Sequence, residues 1–154
     1  MKIRDLSALT EETDVKILKV LLSEAKLSNR QIAKRVGVSV NTVISRIRKM
    51  EEKRIIKGYT AVLDHEMLGY DLTVITEITV SEGRLLEMEK EIAKIPNVCA
   101  VYDVTGLIDA IVVAKFRNRE ELSKFTKGLL ALPFIERTNT HLVLTTVKEE
   151  YKMV

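Results

Sequence analysis

Residues Leu27–Met50 read LSNRQIAKRVGVSVNTVISRIRKM and contain two short helical patterns on either side of Gly37. Ile32, Ala33 and Val36 recur at helical spacing, so they define one apolar face. A glycine at the next position supplies the left-handed conformation that ends a helix. Two helices joined by such a short, glycine-containing connection form a helix-turn-helix. The segment therefore predicts this motif.

The second helix of the motif is predicted to begin after Ser39. The Ser39 hydroxyl can accept a hydrogen bond from a free backbone N–H of the first turn, as N-cap residues do. Val43, Ile47 and Met50 then repeat at i, i+4 and i+7, which defines a buried stripe. The pattern predicts a helix over Val40–Lys53 with one face packed against the rest of the unit.

The opposite face of this helix is polar and cationic. An α-helix fits the major groove of DNA, where polar side chains can bind base edges. We expect Asn41, Thr42 and Ser45, near the helix start, to contact bases. The cations of the helix are expected to contact phosphates; they are Arg46, Arg48 and Lys49. Further candidates for DNA binding are Ser28, Asn29, Arg30, Ser39 and Lys57. Single solvated polar residues would be ordinary, but the whole set favours double-stranded DNA as the partner.

The charge distribution agrees with this interpretation. Residues 1–63 contain 14 Lys and Arg against 7 Asp and Glu, a formal charge of +7, whereas residues 64–154 contain 11 against 15, a charge of −4. The basic excess is thus confined to the part with the turn motif. That asymmetry is the expected electrostatic footprint of a nucleic-acid-binding domain.

The bulk composition indicates a folded, soluble protein. The chain has 154 residues, 46% hydrophobic and 31% charged, which suits one medium or two small domains. No apolar run reaches the roughly 20 residues of a membrane span. The start, MKIRDLSALTEE, lacks the apolar core of a signal peptide, so we expect a cytoplasmic protein without membrane contact. The single cysteine, Cys99, lies in an apolar run and is expected to be a buried small hydrophobe.

Around the motif, the pattern predicts a first helix over Glu12–Ala25. After the motif we expect a short strand, Ile56–Tyr59, that leaves the DNA-binding unit. A single helical turn, Asp64–Leu68, is expected in a linker. The predicted domains are residues 1–62 for DNA binding, 63–71 as the linker, and 72–154 for oligomerisation and effector binding.

The last 83 residues alternate between strand and helix patterns. Strands are predicted at Leu72–Val80, Val98–Val104, Ile108–Phe116 and His141–Val147, and helices at Gly83–Ile95 and Arg119–Leu132. The order βαββαβ is the split βαβ of ferredoxin-like folds. The fold class is therefore α+β, a winged helix-turn-helix followed by a ferredoxin-like domain. Helices cover one face of such a sheet, and the apolar strands predict self-association through the other face.

Three segments carry a resemblance to a known family. They are TDVKILKVLL, then LSNRQIAKRVGVSVNTVISRIRKMEEKRIIKGYTAVLD, and finally IPNVCAVYDVTGLIDAIVVA. Together with the order of elements they make the chain similar, over nearly its whole length, to the Lrp/AsnC family, or feast/famine regulators. The resemblance implies a transcription regulator that dimerises through its C-terminal half. It also implies frequent assembly into octamers and a response to amino acids.

The resemblance further implies an effector pocket between subunits. In the family it uses the turn between the second and third strands of the βαββαβ half and residues entering the last strand. The family turn usually reads TG-D-Y-D, but here Leu107 and Ile108 replace the first acid and the aromatic residue. The free N–H of Gly106 can bind a carboxylate, and Asp109 can receive an ammonium group. Alternatively the turn is a tight hairpin that Asp109 caps. The candidate effector residues are Thr105, Gly106, Leu107, Ile108, Asp109, Arg137, Thr138 and Thr140.

Two other functions compete with sequence-specific regulation. An enzyme is disfavoured because His65 and His141 lack a metal-ligand spacing, no phosphate-binding glycine loop occurs, and adjacent carboxylates do not share a helix face. We therefore expect no catalysis and no cofactor beyond a possible amino-acid effector. An architectural protein that packs DNA with little sequence preference would use the same basic helices. The ratio of operator to random-DNA affinity separates that function from sequence-specific regulation.

Overall fold

A computed structural model of the protein describes residues 11–81 and 83–154. The described residues up to Val62, together with Glu149–Val154, form one compact unit, and Leu63–Lys148 form a second. The first ten residues, on which the expectation about a signal peptide mainly depends, lie outside the described residues. The predicted domain limits stay a prediction.

Three helices build the first unit. They are α1 (Glu12–Ser23), α2 (Asn29–Val36) and α3 (Val40–Glu52). The predicted bounds of α2 are confirmed, while α1 ends two residues and α3 one residue before the predicted end. Their apolar faces meet in one core, as helical periodicity predicted. Its buried members are Ile17, Ile32, Ala33, Val43 and Met50.

The turn between α2 and α3 has the predicted chemistry. Gly37 has a φ of 80°, in the left-handed region that favours glycine. The N–H groups of Gly37 and Val38 both donate to the Ala33 carbonyl oxygen, at 2.9 and 3.1 Å. The next helix begins at once, because the Thr42 N–H donates to Ser39 Oγ at 3.0 Å. The helix-turn-helix prediction is confirmed.

The second unit has the order βαββαβ, which confirms the predicted fold class. Its elements are β1 (Leu72–Val80), α4 (Leu85–Ile92), β2 (Val98–Asp103), β3 (Ala110–Phe116), α5 (Arg119–Leu130) and β4 (Ile135–Leu142). The four strands form one antiparallel sheet in the order β2-β3-β1-β4. β1 has the predicted bounds, and the other elements are shorter than predicted or, for β4, shifted.

Both helices pack on the same face of the sheet. The even-numbered residues of β1 point toward them, because side chains alternate along a strand. Thr76 is the polar exception in this core, and its Oγ1 lies 3.0 Å from Thr140 Oγ1, so the two hydroxyls satisfy one another. The large buried side chains are Val74, Ile78, Met88, Ile92, Val112, Phe116, Phe125 and Leu129.

The last predicted strand, His141–Val147, is wrong in position. β4 covers Ile135–Leu142 and reads IERTNTHL; it tolerates this polar sequence because it lies at an edge of the sheet, next to β1. The more apolar run that follows was the stronger sequence signal. Its Leu144 and Val147 are instead exposed, and pairing with β1 ends with the Val143 N–H on the Thr73 carbonyl oxygen.

Two local predictions also fail. Ile56–Tyr59 is not a strand, because the N–H groups of Ile55 and Ile56 both donate to the Met50 carbonyl oxygen and end α3. Cys99 is exposed, not buried. The β2–β3 ladder shifts register between Val98 and Ala100, at the edge of the sheet, so the apolar run around Cys99 does not bury its side chain.

Candidate nucleic-acid interface and effector turn

The outward face of α3 presents the residues that the helical period placed there. Asn41, Ser45 and Arg48 are exposed, whereas Val43 and Met50 are buried on the opposite side. The core of the first unit fixes this orientation, because the two buried residues lock the rotation of α3 about its axis. The structure thus brings the candidate base-contacting side chains onto one solvent-facing surface. Their contact with bases stays a prediction.

Paired polar side chains hold the first turns of both helices of the motif. Ser39 Oγ lies 2.8 Å from Thr42 Oγ1, so these two candidate DNA contacts share a hydrogen bond. At the start of α2, the Ser28 N–H donates to Gln31 Oε1 at 2.8 Å, which completes a capping box. Ser28, Ser39 and Thr42 therefore have a structural role at the helix ends. Half-buried Thr42 faces solvent less than Asn41 does.

Most of the candidate cations lie at the surface. Arg48 Nε donates to Glu52 Oε1 at 3.0 Å, in an i, i+4 pair whose side chains are both more than 60% exposed. Such an exposed pair contributes little to stability, so Arg48 can exchange its partner for a phosphate. The other exposed candidates are Asn29, Arg30, Lys49 and Lys57.

Arg46 differs from the other cations of α3. Its guanidinium forms an ion pair with Glu11 and lies 3.7 Å from Asp14 Oδ1, and only 24% of its side chain is exposed. Asp14 is buried, and no hydrogen bond satisfies its Oδ1 or the Nη1 of Arg46 among the described residues. Arg46 therefore joins α3 to the start of α1. The sequence analysis missed this contact because its partners lie more than 30 positions away.

The ion pair changes the titration of both partners. The hydrogen bond from Arg46 is the largest influence on Glu11 and holds the pKa of that carboxyl below its usual value, with smaller contributions from Lys49 and Lys53. The same hydrogen bond raises the pKa of Arg46. Both groups thus stay charged in the folded unit under conditions where Glu11 of an unfolded chain begins to protonate.

The segment after α3 folds back on that helix. Arg54 takes a positive φ of 56°, and the Tyr59 hydroxyl donates to Glu51 Oε1 at 2.9 Å. Partial burial of the phenol and this hydrogen bond raise the pKa of Tyr59 to about 12. Lys57 lines the same shallow cleft as Glu51 and Tyr59. The fold-back therefore places the Lys57 cation beside the C-terminal end of α3.

The candidate effector turn, Thr105–Asp109, connects β2 to β3. Gly106 has a φ of 130°, and Leu107 is 99% exposed at the tip. Asp109 is anchored to the end of β1: its N–H donates to the Ile78 carbonyl oxygen at 3.0 Å, and its Oδ2 accepts the Val80 N–H at 2.8 Å. One carboxylate oxygen of Asp109 is therefore already engaged within the sheet.

The second candidate segment lies across β1 from this turn. Ile78 pairs with Ala110 on one side and with Thr138 on the other, so the turn and β4 are separated by about 10 Å, two strand spacings. Thr138 and Thr140 lie on the helix-covered face, whereas Arg137 lies on the opposite face. Arg137 and Thr138 lie toward the end of the sheet that holds the turn, whereas Thr140 pairs with Thr76 at the middle of β1. The candidate effector residues are thus spread along β4 and divided between the two faces of the sheet.

Two kinds of site are absent from the described residues. No group of three His, Cys, Asp or Glu side chains is arranged to hold a metal ion. Within residues 11–81 and 83–154, no helix has the length and apolar character needed to cross a membrane.

Comparisons with known proteins give consistent matches along the chain. Residues 10–57 match a winged helix-turn-helix DNA-binding family, and residues 73–153 match the Lrp/AsnC ligand binding domain. An uncharacterized HTH-type transcriptional regulator of Pyrococcus abyssi is 46% identical over 93% of this chain and 97% of its own. The HTH-type transcriptional regulator FL11 of Pyrococcus horikoshii is 37% identical over 90% of this chain and 92% of its own.

A solved structure has the same fold. It is a transcriptional regulator of Neisseria meningitidis in complex with L-Met. It superposes with a TM-score of 0.88 at 24% identity, covering 94% of this chain and 96% of that one.

The ion pair between Glu11 and Arg46 gives a pH-dependent contribution to stability. Because the pKa of Glu11 is below its ordinary 4.5 in the folded unit, its stabilising effect is fully present above that value and is lost as the pH falls through the folded pKa. Glu11→Gln should therefore lower the free energy of unfolding at pH 7, and the difference from the wild type should shrink below about pH 4.5. Urea denaturation of both proteins at a series of pH values measures this difference in the free energy of unfolding.

An Arg46→Leu background provides the control for this experiment. Without the guanidinium, the pH-dependent effect of Glu11→Gln should be much smaller, because only the weaker attraction of Lys49 and Lys53 remains. A deficit of Glu11→Gln that is constant from pH 7 to pH 3 would contradict the linkage.

Proposed function

The chain belongs to the Lrp/AsnC family of HTH-type transcriptional regulators, and from that premise we propose how its surfaces bind DNA and a small molecule. It is a DNA-binding regulator whose second unit matches the family's ligand-binding domain. The observation that carries the proposal is the polar, cationic face of α3, held outward by a core on its other side. The function involves neither catalysis nor a cofactor. We place it in the cytoplasm.

In the proposed complex, α3 lies in the major groove of double-stranded DNA. Asn41 and Ser45 bind base edges, because they are exposed near the start of the helix, and Thr42 contributes from beside them. The exposed cations neutralise phosphates and fix the register; they are Arg30, Arg48, Lys49 and Lys57. We assign Arg46 a different role from the one expected from sequence, which is to hold α3 against α1 through Glu11 and Asp14.

Base readout and phosphate binding predict different results for two substitutions. Asn41→Ala should remove about 1–3 kcal/mol of discrimination between the preferred sequence and random DNA. Arg48→Ala should weaken binding to all sequences alike. It should also reduce the slope of the logarithm of the affinity against the logarithm of the salt concentration by about 1. Fluorescence anisotropy with selected and random duplexes, at several salt concentrations, measures both effects. Arg119→Ala, an exposed arginine of α5, is the matched control and should change neither.

Two results would contradict sequence-specific binding by Asn41. If Asn41→Ala lowers the affinity for selected and random DNA by the same factor, Asn41 does not read a base. A wild-type ratio near one between the two duplexes would favour an architectural role in DNA packing.

We propose that two copies associate through the face of the sheet that α4 and α5 leave uncovered. Ile75 and Val113 pair in register at its centre, and Ile75 is 38% exposed. Apolar side chains on a face without covering helices favour burial against another sheet. A two-fold dimer would present two α3 helices to a pseudo-palindromic site, with half-sites about one helical turn apart or a multiple of it. Further assembly into an octamer, as the family resemblance implies, is part of the proposal.

A charge at the centre of this face should separate the subunits. Ile75→Glu would bury a carboxylate without a partner in the interface, which is strongly unfavourable. We expect multi-angle light scattering at micromolar concentration to show at least a dimer for the wild type and a lower mass for the variant. Leu86→Glu, on the exposed face of α4, should keep the wild-type mass. A monodisperse wild-type monomer would contradict the dimer, and an unchanged mass for Ile75→Glu would place the interface elsewhere.

We also propose that an amino acid or a related small molecule binds at the Thr105–Asp109 turn. The free N–H of Gly106 would receive the carboxylate, and Asp109 Oδ1 would receive the ammonium group, because Oδ2 is bound to the Val80 N–H. Arg137, which lies on the uncovered face of the sheet, would complete the pocket from a neighbouring subunit, whereas Thr138 and Thr140 face the core and would support β4 from behind. The L-Met in the Neisseria regulator is a precedent for this class of ligand in a protein of the same fold.

Asp109→Asn separates the two roles of Asp109. The amide oxygen can still accept the Val80 N–H, so the sheet should keep its stability, but the negative charge that attracts an ammonium group is gone. Isothermal titration calorimetry against the twenty amino acids should show heat with at least one of them for the wild type and at least a tenfold weaker affinity for the variant. No heat from the wild type with any amino acid, or equal affinity in both proteins, would contradict the assignment.

A further inference from the structure

Two apolar side chains stand on the otherwise polar surface of α3. Val40 is 38% and Ile44 is 47% exposed. They are four positions apart and so lie next to each other on one helix face. Both are β-branched, which lowers helix propensity slightly, and exposed apolar surface gains nothing from the hydrophobic effect. Neither helix formation nor the core of the unit explains why these positions are apolar.

The surroundings of Ile44 indicate what covers it. Asn41 lies one turn before it and Arg48 one turn after it, and Ser45 is adjacent; all three are exposed. The residues up to Leu63 carry a formal charge of +7. An apolar protein partner docked here would have to desolvate the neighbouring cations without neutralising them. A nucleic-acid duplex would neutralise these cations and cover Ile44 in the same contact.

We propose that Ile44 determines specificity by packing on the C5-methyl group of a thymine in the major groove. Thymine is the one base that presents a methyl group there, and apolar side chains recognise it by contact. The inference rests on the proposed docking of α3 and adds to it: Asn41 and Ser45 recognise hydrogen-bonding groups, and Ile44 recognises a methyl group beside them. Val40 is the first residue of α3 and is less exposed than Ile44; it flanks this contact.

The first test compares base preferences and does not require a known operator. Duplexes are selected from a random pool by the wild-type chain and by three variants, and the bound sequences are read. The variants are Ile44→Ala, Ile44→Val and Leu86→Ala. We expect one position in each half-site to prefer thymine for the wild type and for Ile44→Val, which retains two methyl groups. Ile44→Ala should lose that preference and keep the others. Leu86→Ala, which removes an exposed apolar side chain from α4, should match the wild type.

The second test removes the methyl group from the DNA. Uracil replaces thymine at the identified position, which leaves the base-pairing edge unchanged. Wild-type affinity should fall about fourfold, the factor that burial of one methyl-sized group accounts for. Ile44→Ala should bind both duplexes equally. Because Ile44 lies outside the core, circular dichroism should show the same helix content for both proteins.

The outcomes distinguish this inference from the function on which it rests. If the wild type selects a sequence and Ile44→Ala selects the same one, thymine included, Ile44 reads no methyl group while the DNA-binding proposal stands. If the wild type selects no sequence, the proposal of sequence-specific DNA binding and the inference about Ile44 both fail. If Ile44→Ala lowers the mass of the particle in light scattering but keeps the thymine preference, Ile44 contacts a second copy and the inference is wrong.

Discussion

The left-handed turn at Gly37 is the constraint on which the DNA-binding unit depends. One carbonyl, that of Ala33, accepts two N–H groups there, so α2 ends abruptly and only three residues separate it from α3. This short connection fixes the angle between the helices, and the core residues Val43 and Met50 fix the rotation of α3. The side chains that face outward follow from these two constraints. A residue with a Cβ at position 37 would strain the backbone at the one place where both helices need it.

Much of the fold could be predicted because most elements repeat with their own period. The α2 bounds, β1 and the βαββαβ order follow from patterns within single segments. The failures share a physical cause, which is pairing between distant segments. Ile135–Leu142 forms an edge strand because β1 accepts it in register, although its sequence is polar. Pairing with β1 ends at Val143, and the apolar Leu144 and Val147 are exposed. Cys99 is exposed because of a register shift that only the facing strand reveals.

In the candidate site, too, features set by one segment could be predicted and contacts between distant segments could not. The exposure of Asn41, Ser45 and Arg48 follows from 100° per residue and one buried stripe. The position of Arg46 could not follow from it, because its partners belong to α1. Buried Asp14 in the first turn of α1 was the available signal, since a buried carboxylate calls for a cation nearby. At Asp109 the observed contact differs from both expectations from sequence: one carboxylate oxygen accepts the Val80 N–H of β1 and does not cap its own turn. Binding of an ammonium group by the other oxygen stays a prediction.

The uncovered sheet face also carries a polar group, which has a consequence for the identity of its partner. Asn139 Nδ2 lies 3.1 Å from Glu77 Oε2 and 3.0 Å from His141 Nε2, beside the apolar centre at Ile75. In the proposed dimer a second sheet would cover this face, so these atoms would lose water and would need partners from within the pair. Opposite a related chain with other side chains, Glu77 would be desolvated with only Asn139 and His141 of its own chain as partners. In a cell with several such regulators, this polar cluster would favour like chains over mixed pairs.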